Sequence, residues 1–144
     1  MPYVELHARI AFSFLRGGSL PETLGARAGH LGLGALALCD RDGVYGAVRL
    51  HMAAKQAGFR PLVGSELTME DGAVVPVLAA TQAGYRRLCG LLTTAALRAE
   101  KGEGRVGWAE LADNDGLIAL TGDGDGPVRR AWRTAGAEAA AAAG

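Results

Sequence analysis

The sequence predicts an α/β fold with a largely parallel sheet. Apolar runs of strand length alternate with amphipathic segments, giving strand, helix, strand, helix, strand, hairpin strand, helix and strand. The run "ALALC" from Ala35 is continuously apolar, as expected of a strand covered on both faces. Hydrophobic residues make up 49% of the 144 positions, which is enough for one domain core.

The first predicted strand and helix are adjacent. Residues 3–9, "YVELHAR", alternate between apolar and polar as a strand does. Ser19 and Glu22 have the spacing of a capping box at the start of a helix that extends to about Leu31. We therefore expect the Ser19 hydroxyl to cap this helix.

A second helix and a hairpin follow. The second helix is predicted from about Tyr45 to Ala57, where a glycine ends it. Residues 60–69 and 73–80 read as two strands joined by the turn "EDG". Pro76 has no backbone N–H, which predicts that the second of these strands lies at a sheet edge.

The rest of the chain divides at residue 126. A helix is predicted over residues 81–100, "WAELA" predicts a helical turn, and "DGLIALTG" predicts another buried strand. Residues 1–126 are assigned to one partial domain. Residues 127–144 are predicted to be an alanine-rich helix with a frayed end, because little apolar side chain follows Trp132.

Charge and cysteine content exclude several functions. Lys plus Arg is 15 and Asp plus Glu is 15, so no net charge attracts nucleic acid or membranes. No apolar run has the length of a membrane span, so we expect a cytoplasmic protein. Cys39 and Cys89 form no C-x-x-C pair, so zinc and redox motifs have no support.

Several motifs at strand ends occur together in an order typical of one family. They are "ELHAR", "FSFLRGGSLPE", "LGALALCDRDGVYGAV", "AAKQAGFRPLVGSEL", "AGYRRLCGLL", "AEKGEG" and "GLIALTGDGDGPV". Over Pro2 to about Arg133, the chain resembles the polymerase-and-histidinol-phosphatase (PHP) domain that opens bacterial C-family DNA polymerase III alpha subunits. It most resembles their error-prone branch.

This resemblance implies a distorted seven-stranded (β/α) barrel, of which about the first half is present. In active members the first strand ends in His-x-His, an acid follows in the next turn, the second strand ends in Asp-His-Asp and the third in Glu. These side chains hold two or three divalent ions that activate water against a phosphoester. A half barrel should expose a strand edge near Ile118, so we expect the chain alone to self-associate.

The resemblance maps these ligand positions onto a site with several arginines. The corresponding residues are His7, Arg9, Arg16, Asp40, Arg41, Asp42 and Glu66. Arginine stays protonated and has no lone pair to offer a metal, so three ligands are replaced by positive charges. The metal site is interpreted as vestigial, with His7, Asp40 and Glu66 as weak remaining ligand candidates. No catalytic residue is assigned.

Three uses of this cluster remain open. It can close as a network of ion pairs, it can retain a zinc or manganese ion, or its arginines can bind a phosphate through bidentate hydrogen bonds. The ion-pair network is favoured because acids and arginines are present together.

Two functions follow from the resemblance. The first is the N-terminal PHP module of an error-prone, damage-induced translesion polymerase, with a structural or interaction role. The full-length protein would carry magnesium-dependent DNA polymerase activity in replication and repair. Its implied partners are the rest of the chain, DNA, the sliding clamp and mutagenesis accessory proteins. The alternative is a metal-dependent phosphoesterase, either a 3'-5' exonuclease or a phosphatase.

Overall fold

The computed structural model describes residues 3–113 and 115–143, which form an α/β fold as predicted. Their elements are β1 (Val4–Ala8), α1 (Pro21–His30), β2 (Ala35–Arg41), α2 (Ala47–Ala57), β3 (Arg60–Thr68), β4 (Val74–Ala79), α3 (Gln82–Leu97), α4 (Trp108–Ala112), β5 (Leu117–Ala119) and α5 (Pro127–Ala142). The strands are hydrogen-bonded in chain order. Over these residues, no helix combines the length and the apolarity that a membrane span needs.

The chain forms two compact units, one ending at Ser65 and the other beginning at Glu66. In the first unit β1 pairs with β2 in parallel, with Val4 opposite Ala35. Its core contains side chains from the loop after β1, from β2, from the two helices and from the turn between α2 and β3: Ile10, Ala28, Leu36, Leu38, Leu50, Ala54 and Phe59. The apolar strand predicted from Ala35 is present, and its residues through Asp40 are buried.

The predicted capping box at the start of α1 is wrong. Leu20 is the N-cap residue, and no side chain caps the helix. The Glu22 carboxylate instead accepts hydrogen bonds from Nε and Nη2 of Arg49 on α2, at 2.5 and 2.8 Å. Pro21 starts the helix because its ring fixes a helical φ and its missing N–H needs no partner there.

The two helices of the first unit pack closely along a pair of small residues. A Cβ added to Gly25 of α1 would lie 2.6 Å from the Cβ of Ala53 on α2, so only glycine fits this crossing. The ends of both helices follow the sequence prediction. Gly58 adopts a left-handed φ of 78° after α2, which is a common C-terminal stop.

In the second unit the prediction that Pro76 marks an edge strand is wrong. Its strand, β4, lies between β3 and β5 in the hydrogen-bonded order. Antiparallel pairing with β5 covers Val77 to Ala79, so Pro76 falls just beyond the paired residues. The Pro76 carbonyl accepts from the N–H of Leu120 at 2.8 Å. Because proline has no backbone N–H, Pro76 leaves out one hydrogen bond at the end of the short β4–β5 pairing.

The prediction of a buried strand at "DGLIALTG" is also wrong in its burial. β5 has only three residues, of which Leu117 is buried and Ile118 is 51% exposed. Continuous apolar sequence is typical of parallel strands covered on both faces, whereas β5 is antiparallel to β4. An antiparallel strand can leave one face open, so apolar residues alone did not determine its burial.

The remaining helices of the second unit match their predicted positions. The Thr81 side chain caps α3 by accepting from the N–H of Gly84 at 3.0 Å. Leu88 and Ala95 are buried, as their helical spacing predicts. α5 begins at Pro127 and is interrupted by non-helical φ and ψ angles at Gly136. The assignment of domain limits at residue 126 stays a prediction.

The Glu22–Arg49 pair gives a testable expectation for titration. The hydrogen bond from Arg49 lowers the pKa of Glu22 below its ordinary value. In the Arg49→Gln variant the pKa of Glu22 should rise toward that ordinary value, as measured by NMR titration of its side-chain carbonyl carbon. Arg98 and the Gly107 N–H lower the pKa of Glu110 separately, so that pKa should not move. Equal behaviour of Glu22 in parent and variant would contradict the pairing.

Candidate functional site

The buried end of β2 carries the carboxylate of Asp40. This residue is 1% exposed. Its Oδ1 accepts hydrogen bonds from the backbone N–H of Ile10 at 3.1 Å and from the Ser13 hydroxyl at 2.6 Å. A buried carboxylate is costly to desolvate unless such donors compensate it. Asp40 therefore holds the loop that follows β1 against the end of β2.

Two serine hydroxyls extend this hydrogen-bond network along the backbone. The Ser13 Oγ also accepts from the N–H of Arg41 at 3.1 Å, so one hydroxyl links the carboxylate to the residue after it. Ser65, which is fully buried, donates to the Asp40 carbonyl and accepts from the N–H of Gly43, both at 3.0 Å. The network thus fixes the backbone on both sides of Asp40.

The loop after β1 makes a tight turn with an exposed apolar tip. Phe14 and Leu15 are exposed, and Leu15 has a φ of 63°, which is unfavourable for a residue with a branched side chain. The Gly17 backbone lies so close to Ile10 that a Cβ added to Gly17 would lie 2.3 Å from the Ile10 carbonyl oxygen. The turn is therefore held in a strained shape by its contacts at Ile10 and Ser13.

The residues proposed for the vestigial site lie in both units. In the first unit His7 is on β1, Arg9 follows it, Arg16 is in the exposed loop, Asp40 and Arg41 end β2, and Asp42 comes next with a φ of 49°. Glu66 is on β3 in the second unit and is fully buried. Each of these seven residues has at least one interaction partner. Their assignment as a vestigial site stays a prediction.

The metal-ligand types that the first unit keeps at these positions are His7, Asp40 and Asp42. Across residues 3–113 and 115–143, no group of three or more His, Cys, Asp or Glu side chains is arranged to hold an ion. Arginine contributes no lone pair at three of the positions where the family resemblance places ligands. The retained Asp40 directs Oδ1 at two protein donors.

Two residues that shape this site, Ser13 and Ser65, escaped the sequence analysis. Both are buried polar residues with bonds across more than 20 positions in sequence. A local signal for Ser13 existed, because it lies in the turn between the first strand and the pair Gly17 and Gly18. Its partner, 27 residues away, could not be found by any local pattern.

The comparison with protein families agrees with this architecture. Residues 5–143 match the PHP domain. The chain belongs to the PHP domain family. It is therefore a PHP domain by sequence, and the proposed α/β class with part of a PHP barrel is confirmed.

Individual relatives of this PHP domain are error-prone DNA polymerases. It is 50% identical over 103 residues to that of Corynebacterium efficiens, covering 71% of this chain and 10% of that protein. It is 43% identical over 127 residues to that of Methylococcus capsulatus, covering 87% and 12%. The chain thus spans about a tenth of the length of these curated relatives.

Solved structures with a similar fold come from other proteins. An amidohydrolase from Chromobacterium violaceum, solved with sulfate and without metal, has a TM-score of 0.53 and 25% identity, covering 64% of this chain and 32% of that one. A protein from Bifidobacterium adolescentis, provisionally described as a metal-dependent phosphoesterase, has a TM-score of 0.51 and 24% identity. It covers 66% of this chain and 34% of that one.

The Ser13 bridge predicts a measurable loss of stability. In the Ser13→Ala variant the buried Asp40 carboxylate and the Arg41 N–H each lose a hydrogen-bond partner. We expect the free energy of unfolding to fall by ~1 to 3 kcal/mol, measured by urea denaturation. The exposed Ser19→Ala change is the matched control and should alter it by less than ~0.5 kcal/mol. A larger effect at Ser19 than at Ser13 would refute this account.

Proposed function

We propose that the chain is the non-catalytic N-terminal PHP module of an error-prone DNA polymerase. In this proposal it has a structural or interaction role, and its metal site is degraded. The observation that carries the proposal is the presence of Arg9, Arg16 and Arg41 where active members of the family have metal ligands. Similarity to error-prone DNA polymerases supports the choice of parent protein.

The hydrogen bonds of Asp40 support the structural part of this proposal. Oδ1 of Asp40 accepts hydrogen bonds from the Ile10 N–H and the Ser13 hydroxyl, so this oxygen holds the loop after β1. Positive charges nearby raise the electrostatic cost of bringing in a cation. Such a module can keep its fold after losing its chemistry, because the remaining acid stabilises the loop and strand end directly.

The parent protein's activity and partners belong to the same proposal. We place DNA polymerisation, the requirement for magnesium and the role in replication and repair of damaged DNA in the remainder of the polymerase. That remainder, DNA, the sliding clamp and mutagenesis accessory proteins are the proposed partners, in the cytoplasm. A phosphoesterase function is the less favoured alternative, since it requires the ligand set that arginines replace.

The decisive experiment restores the ligand types at the three arginine positions. The parent chain should retain less than about 0.1 zinc or manganese ion per chain after dialysis, and should not hydrolyse a model phosphodiester. A triple variant with Arg9→His, Arg16→Asp and Arg41→His should retain at least about one ion. A triple change to glutamine at the same positions is the control, because it removes the charges without adding strong ligands.

Each outcome has a defined meaning. Binding by the parent that is lost in a His7→Ala variant would refute the degraded site and support the phosphoesterase alternative. Ion retention by the glutamine control would show that the arginine charge, rather than missing ligands, excludes the metal. Failure of the restored variant to bind, with its fold intact by circular dichroism, would show that these positions are not ligand positions in this chain.

A further inference from the structure

A cleft in the second unit combines an exposed indole with two guanidinium groups. It has a volume of about 620 Å³ and lies between the loop of residues 121–124 and the first turns of α5. Arg129, Trp132 and Arg133 line one wall. They are three and four residues apart, so they share one helix face. Trp132 is 57% exposed, although tryptophan normally buries most of its large apolar surface.

The orientation of this face is fixed by other contacts of the same helix. Arg130 donates to the carbonyl oxygens of Asp71 and Gly72, at 2.9 and 3.2 Å. Arg133 donates to the carbonyl of Gly124 at 3.2 Å, which holds the loop at the side of the cleft. The cleft therefore exists before any ligand arrives, and binding would cost little ordering of the backbone.

We propose that this cleft binds a short segment of single-stranded nucleic acid. One base stacks on Trp132, and the phosphates beside it contact Arg129 and Arg133. Aromatic stacking together with arginine is the combination by which proteins hold single strands without reading their sequence. The proposal rests on the proposed function for the partner, since a polymerase module works next to exposed template strands.

The charges around the cleft are compatible with this ligand but limit its strength. Two guanidinium groups face one carboxylate, that of Asp123, on the opposite loop. Asp123 is held in the loop, where its Oδ1 accepts from the N–H of Asp125 at 3.3 Å. The local excess of one positive charge contrasts with the zero net charge of the chain. Binding should therefore be weak, local and sensitive to salt.

A purely apolar protein segment is a poorer match. It would cover Trp132 but would bury Arg129 against a partner without a counter-charge, which is costly. A phosphate alone is also a poorer match, because it would use the arginines and leave the exposed indole uncovered. Only a ligand with a flat ring and an adjacent anion satisfies both kinds of side chain.

Tryptophan fluorescence tests the proposal directly. The chain has two tryptophans, and Trp108 donates its indole N–H to Asp71 away from the cleft's lining. In a Trp108→Phe background, Trp132 is the sole reporter. Titration with an oligodeoxythymidylate of about eight nucleotides should quench this fluorescence, because a stacked base quenches an indole. The logarithm of affinity should fall with the logarithm of salt with a slope of about −1.4, the value for two phosphate contacts.

Variants separate the site from general charge effects. Arg129→Gln should weaken binding at least about fivefold and lower the salt slope to about −0.7, since one phosphate contact is lost. Arg86→Gln removes the same charge from the exposed side of α3 and is the matched control. Trp132→Ala should weaken binding at least about tenfold in a labelled-oligonucleotide anisotropy assay, whereas Trp132→Phe should retain most of it. Circular dichroism checks that each variant is folded.

Several results would overturn the proposal. They are the absence of quenching up to millimolar oligonucleotide, an equal loss in Arg86→Gln, or equally tight binding of inorganic phosphate. Thymidine monophosphate that binds as tightly as the oligonucleotide would make the cleft a nucleotide site rather than a strand site. These readouts are independent of metal content, so the proposed degraded metal centre and this cleft can fail separately.

Discussion

The hydrogen bonds of the buried Asp40 carboxylate are the constraint on which the first unit depends. An acid in an apolar core must find donors, and Asp40 finds them in the loop after β1. The loop in turn accepts a left-handed residue at Leu15 and a close backbone approach at Gly17. The strand end, the loop and the exposed apolar tip are therefore consequences of one desolvated charge that has to be compensated.

Under the proposed loss of the metal site, this constraint would also explain how the fold persists without that chemistry. A residue that only ligates an ion loses that role when the ion is lost. A carboxylate that also holds two segments of backbone has a second reason to remain. Asp40 holds backbone in this way, whereas Arg16 lies in an exposed loop. On this proposal Asp40 is kept because of its contacts with the loop.

Local sequence signals predicted most elements of the fold. The correctly predicted elements are formed by interactions between residues that are close in sequence. They include the apolar strand before Asp40, the helix that ends at Gly58, the helix capped by Thr81 and the short α4. The errors involve distant partners. Glu22 bonds to Arg49 of another helix instead of capping its own.

The same reason limits what could be predicted for strands and for the site. Pro76 can lie in the central strand β4 because the residues of β4 that pair with β5 begin at Val77. The roles of Ser13 and Ser65 come from pairing across the fold, which no spacing rule encodes. The arginines of the proposed vestigial site could be identified from the sequence because the family resemblance supplied the positions, whereas the exposed face around Trp132 could be recognised only from the cleft that it lines.

The two hydrogen bonds accepted by Asp40 Oδ1 constrain the length of the loop after β1. Both donors, the N–H of Ile10 and the hydroxyl of Ser13, must reach one oxygen atom, so the number of residues between them is fixed. Inserting or deleting a residue between Ile10 and Ser13 would move one of these donors out of hydrogen-bonding distance of the carboxylate. Beyond Ser13 the turn is closed by its backbone, because the Ser13 carbonyl accepts hydrogen bonds from the N–H groups of Arg16 and Gly17. The exposed side chains of Phe14 and Leu15 take no part in these bonds, so substitutions at the tip can change what the turn contacts without disturbing the core.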